Sequence, residues 1–91
     1  MGDEFKKWLS REPKEVEIDG VKIKIPVLGA NVMHLVTKLG SSDEKKQAEG
    51  LMGLLEYVLK YNFPEIKRDE IEKIDLKVVN KIMEAIMETL Q

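Results

Sequence analysis

The apolar positions of this chain change their period between residues 25 and 30. Residues 15–25 alternate charged and apolar side chains on either side of Asp19-Gly20, and this alternation is typical of half-buried β-strands. An Asp-Gly pair between two such runs favours a type I′ turn, because that turn needs positive φ at both central residues. The sequence therefore predicts an antiparallel hairpin with strands at about 15–18 and 21–25.

From residue 30 onward, apolar residues recur at the spacing of amphipathic helices. A first helix is predicted from about Ala30 to Leu39. A long central helix should open at Ser41–Glu44 and run to about Tyr61 or Asn62, and a last helix should span about Leu76 to Leu90. Ser41 and Glu44 match a capping box, in which a serine hydroxyl and a glutamate carboxylate each bind a free backbone amide. Asp75 is placed to cap the last helix.

Each predicted helix carries an apolar stripe that should face a common core. The first helix has Val32, Leu35, Val36 and Leu39. The central helix has Ala48, Leu51, Met52, Leu55, Val58 and Leu59. The last helix has Leu76, Val79, Met83, Ile86 and Leu90. Residues 65–74 form a charged connector whose inward-facing residues are predicted to be Ile66, Ile71 and Ile74.

Ahead of the hairpin, residues 3–10 have a short helical pattern that ends before Pro13. Phe5, Trp8 and Leu9 share one face of this segment. Trp8 is expected to anchor the segment on the domain, and the alternative is an aromatic contact to a partner.

The fold class predicted from these elements is α+β, in one domain over residues 1–91. An N-terminal segment at 1–13 precedes a two-stranded antiparallel β-hairpin at 15–25. A bundle of three to four helices follows at 30–90.

The composition gives little sign of catalytic chemistry. The chain has no cysteine and one histidine, and His34 lies opposite the apolar stripe of its helix, so it should face solvent. A metal site needs several ligands, and nucleophilic catalysis needs an activated nucleophile beside a base. The acidic residues are instead dispersed among lysines, and no phosphate-binding glycine loop occurs. We therefore expect no enzymatic activity, no cofactor and no metal.

The charge and hydropathy of the chain limit the kinds of partner that it is expected to bind. A formal net charge of −2 argues against binding to nucleic acid, which favours basic surfaces. No apolar run approaches the roughly 18 residues that span a bilayer. The absence of cysteine fits a reducing compartment, so a cytoplasmic location is expected, with a protein partner rather than a membrane or a small-molecule substrate.

Part of the central helix points to an interaction surface. Leu54, Tyr57 and Tyr61 lie off its main stripe, beside Gly50 and Gly53. Glycine costs about 1 kcal/mol in a helix interior, so two glycines here suggest the close approach of another element. That element is the hairpin or the N-terminal segment, a helix of a partner, or a second copy of the chain.

Two methionines add to this prediction. Met33 and Met87 lie at the edge of their stripes or off them, and flexible methionine side chains suit adaptable binding surfaces. An ordinary core position is the alternative for each. The predicted partner-binding residues are Met33, Leu54, Tyr57, Tyr61 and Met87.

The order of elements suggests a family. After the hairpin and the first helix, the central helix ends in Tyr61-Asn62-Phe63-Pro64-Glu65-Ile66, and Asp69-Glu70-Ile71-Glu72-Lys73-Ile74 precedes the last helix. Over about residues 15–90, this pattern resembles the tail assembly chaperones of long-tailed phages and related proviral elements. The resemblance implies a non-enzymatic protein that binds the tape measure protein, a long and aggregation-prone helical chain, and helps to recruit tail-tube subunits. It implies capture of an apolar client helix in a groove.

Two alternatives to this function stay open. The chain could be a homo-oligomeric structural module whose off-stripe face is filled by its own copy. A less favoured alternative is a small nucleic-acid-associated regulator, which would bind DNA in a salt-sensitive manner.

Overall fold

The computed structural model describes residues 2–9 and 12–90, and over this part of the chain it has the predicted α+β class. The helices and strands, in chain order, are α1 (Gly2–Leu9), β1 (Lys14–Ile18), β2 (Val21–Ile25), α2 (Met33–Leu39), α3 (Glu44–Asn62), α4 (Arg68–Glu72) and α5 (Leu76–Leu90). A 3₁₀ turn, Ala30–Val32, leads into α2. The predicted role of Trp8 rests on a side chain that lies outside the described residues.

The hairpin has the predicted turn and register. Asp19 and Gly20 have φ of 49° and 81°, the positive values that a type I′ turn requires. β1 pairs antiparallel with β2, so that Glu15 faces Lys24 and Glu17 faces Lys22. Opposite charges therefore lie across the two strands on one face, which is a favourable arrangement.

Polar contacts at both edges fix the hairpin over the helices. Lys14 Nζ lies 3.0 Å from a Glu88 carboxylate oxygen, and Lys81 Nζ lies 3.1 Å from Asp19 Oδ1. These two ion pairs join the start of β1 and the hairpin turn to α5. At β2, the Lys24 N–H donates to Asn62 Oδ1 at 2.7 Å, and Asn62 Nδ2 donates to the Lys24 carbonyl at 2.8 Å. The Asn62 amide thus satisfies both backbone groups of one strand residue from the end of α3.

The core lies where the hairpin, α3 and α5 meet. Its fully buried side chains include Ile25 of β2, Leu55 and Val58 of α3, and Ile86 of α5. From the charged connector, Ile71 is buried as predicted, while Ile66 and Ile74 pack against the core from partly exposed positions. An isolated hairpin is marginal in water, so burial of its apolar face here stabilises it.

The two glycines of α3 mark a close helix contact, and the element that approaches is α2. A Cβ on Gly50 would lie 2.7 Å from the Leu35 carbonyl oxygen and 2.9 Å from the Leu39 nitrogen. A Cβ on Gly53 would collide with the Leu35 side chain. Neither the hairpin nor a partner is needed to explain these glycines, because the preceding helix already occupies the space.

The predicted capping box at the start of α3 is wrong. The helix begins at Glu44, and Asp43 is the N-cap, its carboxylate accepting from the Lys45 N–H at 2.9 Å. Ser41 lies too far upstream for that role, and its hydroxyl accepts from the Asp43 N–H instead. The predicted cap of α5 is confirmed, since Asp75 Oδ1 accepts from the Lys77 N–H at 2.8 Å.

Three residues assigned to the apolar stripes, Ala48, Leu76 and Leu90, are exposed instead, while Ile82 and Ala85 of α5 are buried. For α5, the reason is the position of the hairpin, because Ile18, Val21 and Ile23 line the same groove as Ile82. The hairpin thus shifts the buried arc of α5 away from Leu76.

A small ion-pair network joins α4 to α3. The Glu56 carboxylate lies 2.9 Å from Lys60 Nζ and 2.7 Å from Arg68 Nη1. The hydrogen bond from Lys60 is the largest cause that lowers the pKa of Glu56; partial desolvation opposes it, and Arg68 acts in the same direction as Lys60. The charged form of Glu56 is therefore favoured in the folded protein.

Glu56→Gln is expected to reduce the free energy of unfolding at neutral pH by less than about 1 kcal/mol, because Lys60 and Arg68 are half-exposed and screened. The contribution of Glu56 is complete above its ordinary pKa near 4.5 and is lost as the pH falls through the lowered pKa of the folded state. Urea denaturation at a series of pH values should show the gap between wild type and variant closing in acid. A gap that is constant with pH would contradict the network, and Glu65→Gln is the control.

Candidate functional site

Two kinds of site are absent from the described residues, a buried polar cluster and a metal-binding cluster. No polar or charged side chain among them is buried, and no three His, Cys, Asp or Glu residues in that part of the chain lie close enough to hold a metal ion. None of the described helices is long and apolar enough to cross a membrane. The feature that needs explanation is the exposure of large apolar side chains.

Several of these exposed side chains lie on one face of α5. Leu76 is 75% exposed and Met87 is 46% exposed. With Asn80, Met83 and Leu90, these residues follow one another at steps of four, three, four and three, which is the spacing of a coiled-coil seam. We call this set, Leu76, Asn80, Met83, Met87 and Leu90, the α5 seam. Asn80 is its one polar member and is exposed.

The α5 seam is distinct from the face of α5 that enters the core. At 100° per residue, the buried residues Val79, Ile82 and Ile86 centre on one side of the helix, and the seam runs along the adjoining flank. Met83 lies at the border and is half-buried. α5 is thus apolar around more than the arc that its own domain covers, which is typical of a helix with a second packing partner.

An apolar cleft adjoins the C-terminal end of the seam. Its volume is about 300 Å³, and Leu90 forms one wall. Met33, which is 63% exposed, lies across the cleft with Leu28 and Val36. Leu90 therefore belongs both to the α5 seam and to the cleft that Met33 lines.

The charges beside the seam are divided along the helix. Lys77 and Lys81 lie in its first half, and Glu84 and Glu88 lie in its second half. Lys81 and Glu88 already pair with hairpin residues. Lys77 and Glu84 form no ion pair within the described part of the chain, so their charges are available to a partner.

The residues predicted to bind a partner do not form one surface. Leu54 is fully buried at 0% exposure, so its prediction as a surface contact is wrong. It lies one turn after Gly50, which α2 contacts closely. Tyr57 is half-buried against the core, whereas Tyr61 is 49% exposed at the end of α3.

Met33 and Met87 are exposed, as expected from their positions off the stripes, and both lie on the surface around the α5 seam. Leu76, Asn80 and Leu90 were not predicted to belong to it. Their spacing of four and three was visible in the sequence. However, Leu76, Met83 and Leu90 also fit the helical period of a core stripe, so the spacing alone could not distinguish a core stripe from a second packing face.

A second, smaller apolar groove lies at the tip of the hairpin. Its volume is about 280 Å³, and Asp19 is its one polar lining residue. Val21 and Phe63 are half-exposed at its mouth. This hairpin groove does not share residues with the α5 seam, so it offers matched control positions for experiments on the seam.

Comparison of the chain with protein-family models, with curated proteins and with solved structures gives no match.

Proposed function

We propose that this chain is a non-enzymatic protein-interaction protein that binds an apolar client helix, in the manner of the tail assembly chaperones whose pattern it resembles. The observation that carries the proposal is the apolar surface formed by the α5 seam and Met33. A single exposed leucine is ordinary on a protein surface, but a contiguous apolar strip is typical of an interaction site.

The proposed mechanism is the packing of a client helix along the α5 seam. Such a helix would place its own apolar residues between Leu76, Met83 and Met87, and Met33 would cover its end. Full burial of each leucine or methionine is worth about 1.5–3 kcal/mol. Methionine adapts its shape to different neighbours, which suits a protein that shields many segments of one long client.

This function would fit a cytoplasmic protein that acts before a larger assembly is complete. A tape measure protein is long, helical and prone to aggregate, so a transient cover over its apolar stripes would keep it soluble. The exposed methionines supply adaptable contact, and the polar residues around them keep the free chaperone in solution.

Replacing Met33 and Met87 together with serine is expected to weaken client binding about 10- to 30-fold, because both side chains are already partly buried and each loses only part of the free energy of full burial. The probe is an apolar helical segment of a phage tape measure protein, co-expressed with the full chain. Its soluble yield and its co-purification with the wild type and the double variant are measured. Both residues are exposed, so the thermal stability of the variant should stay close to that of the wild type.

The matched control is Val21→Ser with Phe63→Ser, which removes two similar side chains from the hairpin groove. This control should retain the client. Equal capture by the wild type and the Met33/Met87 variant would exclude the seam as the site. Failure of the wild type to solubilise or retain the client would overturn the proposed function.

A further inference from the structure

We infer that the α5 seam also pairs with the α5 seam of a second copy of this chain, antiparallel and about a two-fold axis. The inference uses the surface of the proposed function but needs no client. It depends on three observations: the spacing of the seam, its exposure, and the division of charge beside it.

The spacing of the seam sets how two copies would pack. Leu76, Met83 and Leu90 occupy one position of a repeating heptad, and Asn80 and Met87 occupy the other. When two such helices pack antiparallel, residues at the first of these heptad positions in one copy pack against residues at the second position in the other copy. Leu76 then packs against Met87 of the other copy, and Asn80 packs against Met83 of the other copy.

The charges favour the antiparallel direction. Lys77 and Glu84 occupy equivalent heptad positions beside the seam, seven residues apart. In the antiparallel pair, Lys77 of each copy lies beside Glu84 of the other, which gives two ion pairs per dimer. In a parallel pair, this heptad position of one copy lies on the opposite side of the seam from the same position of the other copy, so Lys77 and Glu84 of the two copies would not meet. Neither residue has an ion-pair partner within the described structure of one copy.

The proposed contact has two-fold symmetry. The same surface serves both copies, so the assembly stops at a dimer. α5 has 15 residues and spans about 22 Å, so the contact falls in the small class of interfaces that are weak or transient. We expect a dissociation constant of roughly 1–100 µM, weak enough for a client helix to compete with the second copy for the seam.

Sedimentation velocity of the full chain over a concentration series tests this inference. The wild type should shift from the monomer mass to twice that mass within the micromolar range. Leu76→Asp should remain a monomer throughout, because it places two carboxylates in the seam. Phe63→Asp, the matched control in the hairpin groove, should dimerise like the wild type. Circular dichroism establishes that each variant is folded.

Charge exchange tests the direction of pairing. Lys77→Glu and Glu84→Lys should each weaken dimerisation by about tenfold. The double variant, Lys77→Glu with Glu84→Lys, should recover an affinity close to that of the wild type, because the ion pairs form again with reversed sign.

Three results would overturn the inference: a wild type that is monomeric up to about 500 µM, a dimer that Leu76→Asp leaves intact, or a double variant no tighter than the single ones. Dimerisation and client binding can be measured independently of each other. Client binding measured at nanomolar protein concentration, far below the expected dissociation constant, reports on the monomer. Client binding without dimerisation would support the proposed function and overturn the dimer. Dimerisation without client binding would support the dimer and overturn the proposed function.

Discussion

Leu54→Ala is expected to lower the free energy of unfolding by about 2–5 kcal/mol, the usual loss for a leucine truncated in a core. Leu54 has no solvent exposure, and it lies in the part of α3 that packs against α2. Truncation would leave a cavity in the core, and the surrounding side chains would fill it only in part. This loss would be a large fraction of the stability of a chain of this size.

The measurement is urea denaturation of the wild type, Leu54→Ala and Tyr61→Ala. Tyr61 is also off the main stripe of α3 but is half-exposed, so its truncation should cost less than about 1 kcal/mol. Similar losses for both variants would place Tyr61 in the core. A loss below about 1 kcal/mol for Leu54→Ala would mean that Leu54 faces solvent, as its position off the stripe had predicted.

Gly50→Ala is expected to destabilise the protein by about 1–3 kcal/mol, the usual cost of overpacking. Helix propensity alone predicts the opposite sign, because alanine is favoured over glycine in a helix by about 1 kcal/mol. Steric contact decides the outcome. The new Cβ would lie 2.7 Å from the Leu35 carbonyl oxygen and 2.9 Å from the Leu39 nitrogen, and backbone atoms can move aside only if α2 shifts as a whole.

Gly53→Ala is the matched control for Gly50→Ala in the same denaturation experiment. Its Cβ would meet the side chain of Leu35 rather than backbone, and a side chain can change its rotamer, so the loss should be smaller. A gain of about 1 kcal/mol for Gly50→Ala would show that α2 lies farther from α3 than the structure has it.

Local features of the fold were predictable because neighbouring residues determine them. Asp19-Gly20 has the conformational freedom that a type I′ turn needs, and the alternation on either side of it sets the register of Glu17 with Lys22. The ends of α3 and α5 were likewise predicted to within a few residues. Asp75 caps α5 as expected, since a cap depends only on the first turn of its helix.

Which flank of a helix is buried was less predictable, because periodicity gives only the relative angles of residues. Leu54 is buried although it lies off the main stripe, Ile82 is buried beside the hairpin residues Ile18 and Ile23, and Leu76 is exposed because no described element covers it. The two hydrogen bonds of Asn62 to Lys24 join residues 38 positions apart, and no local pattern could indicate them.

The residues of the candidate site were likewise only partly predictable from the sequence. Met33 and Met87 were predicted from the sequence as partner-binding residues, with an ordinary core position as the alternative for each, and the structure exposes both. The spacing of Leu76, Met83 and Leu90 was equally visible, but it fitted a core stripe as well as a second packing face. Only the position of the hairpin over α5 separated the two possibilities.

The sequence by itself therefore determined the hairpin, the helices and the α+β class, because turn preference, capping and apolar periodicity act over a few residues. Tertiary structure alone decided that α2 rather than a partner occupies the space beside Gly50 and Gly53, and that the α5 seam lies open. The physical reason is that burial depends on how distant elements pack, and each amphipathic helix can present more than one apolar flank to its neighbours.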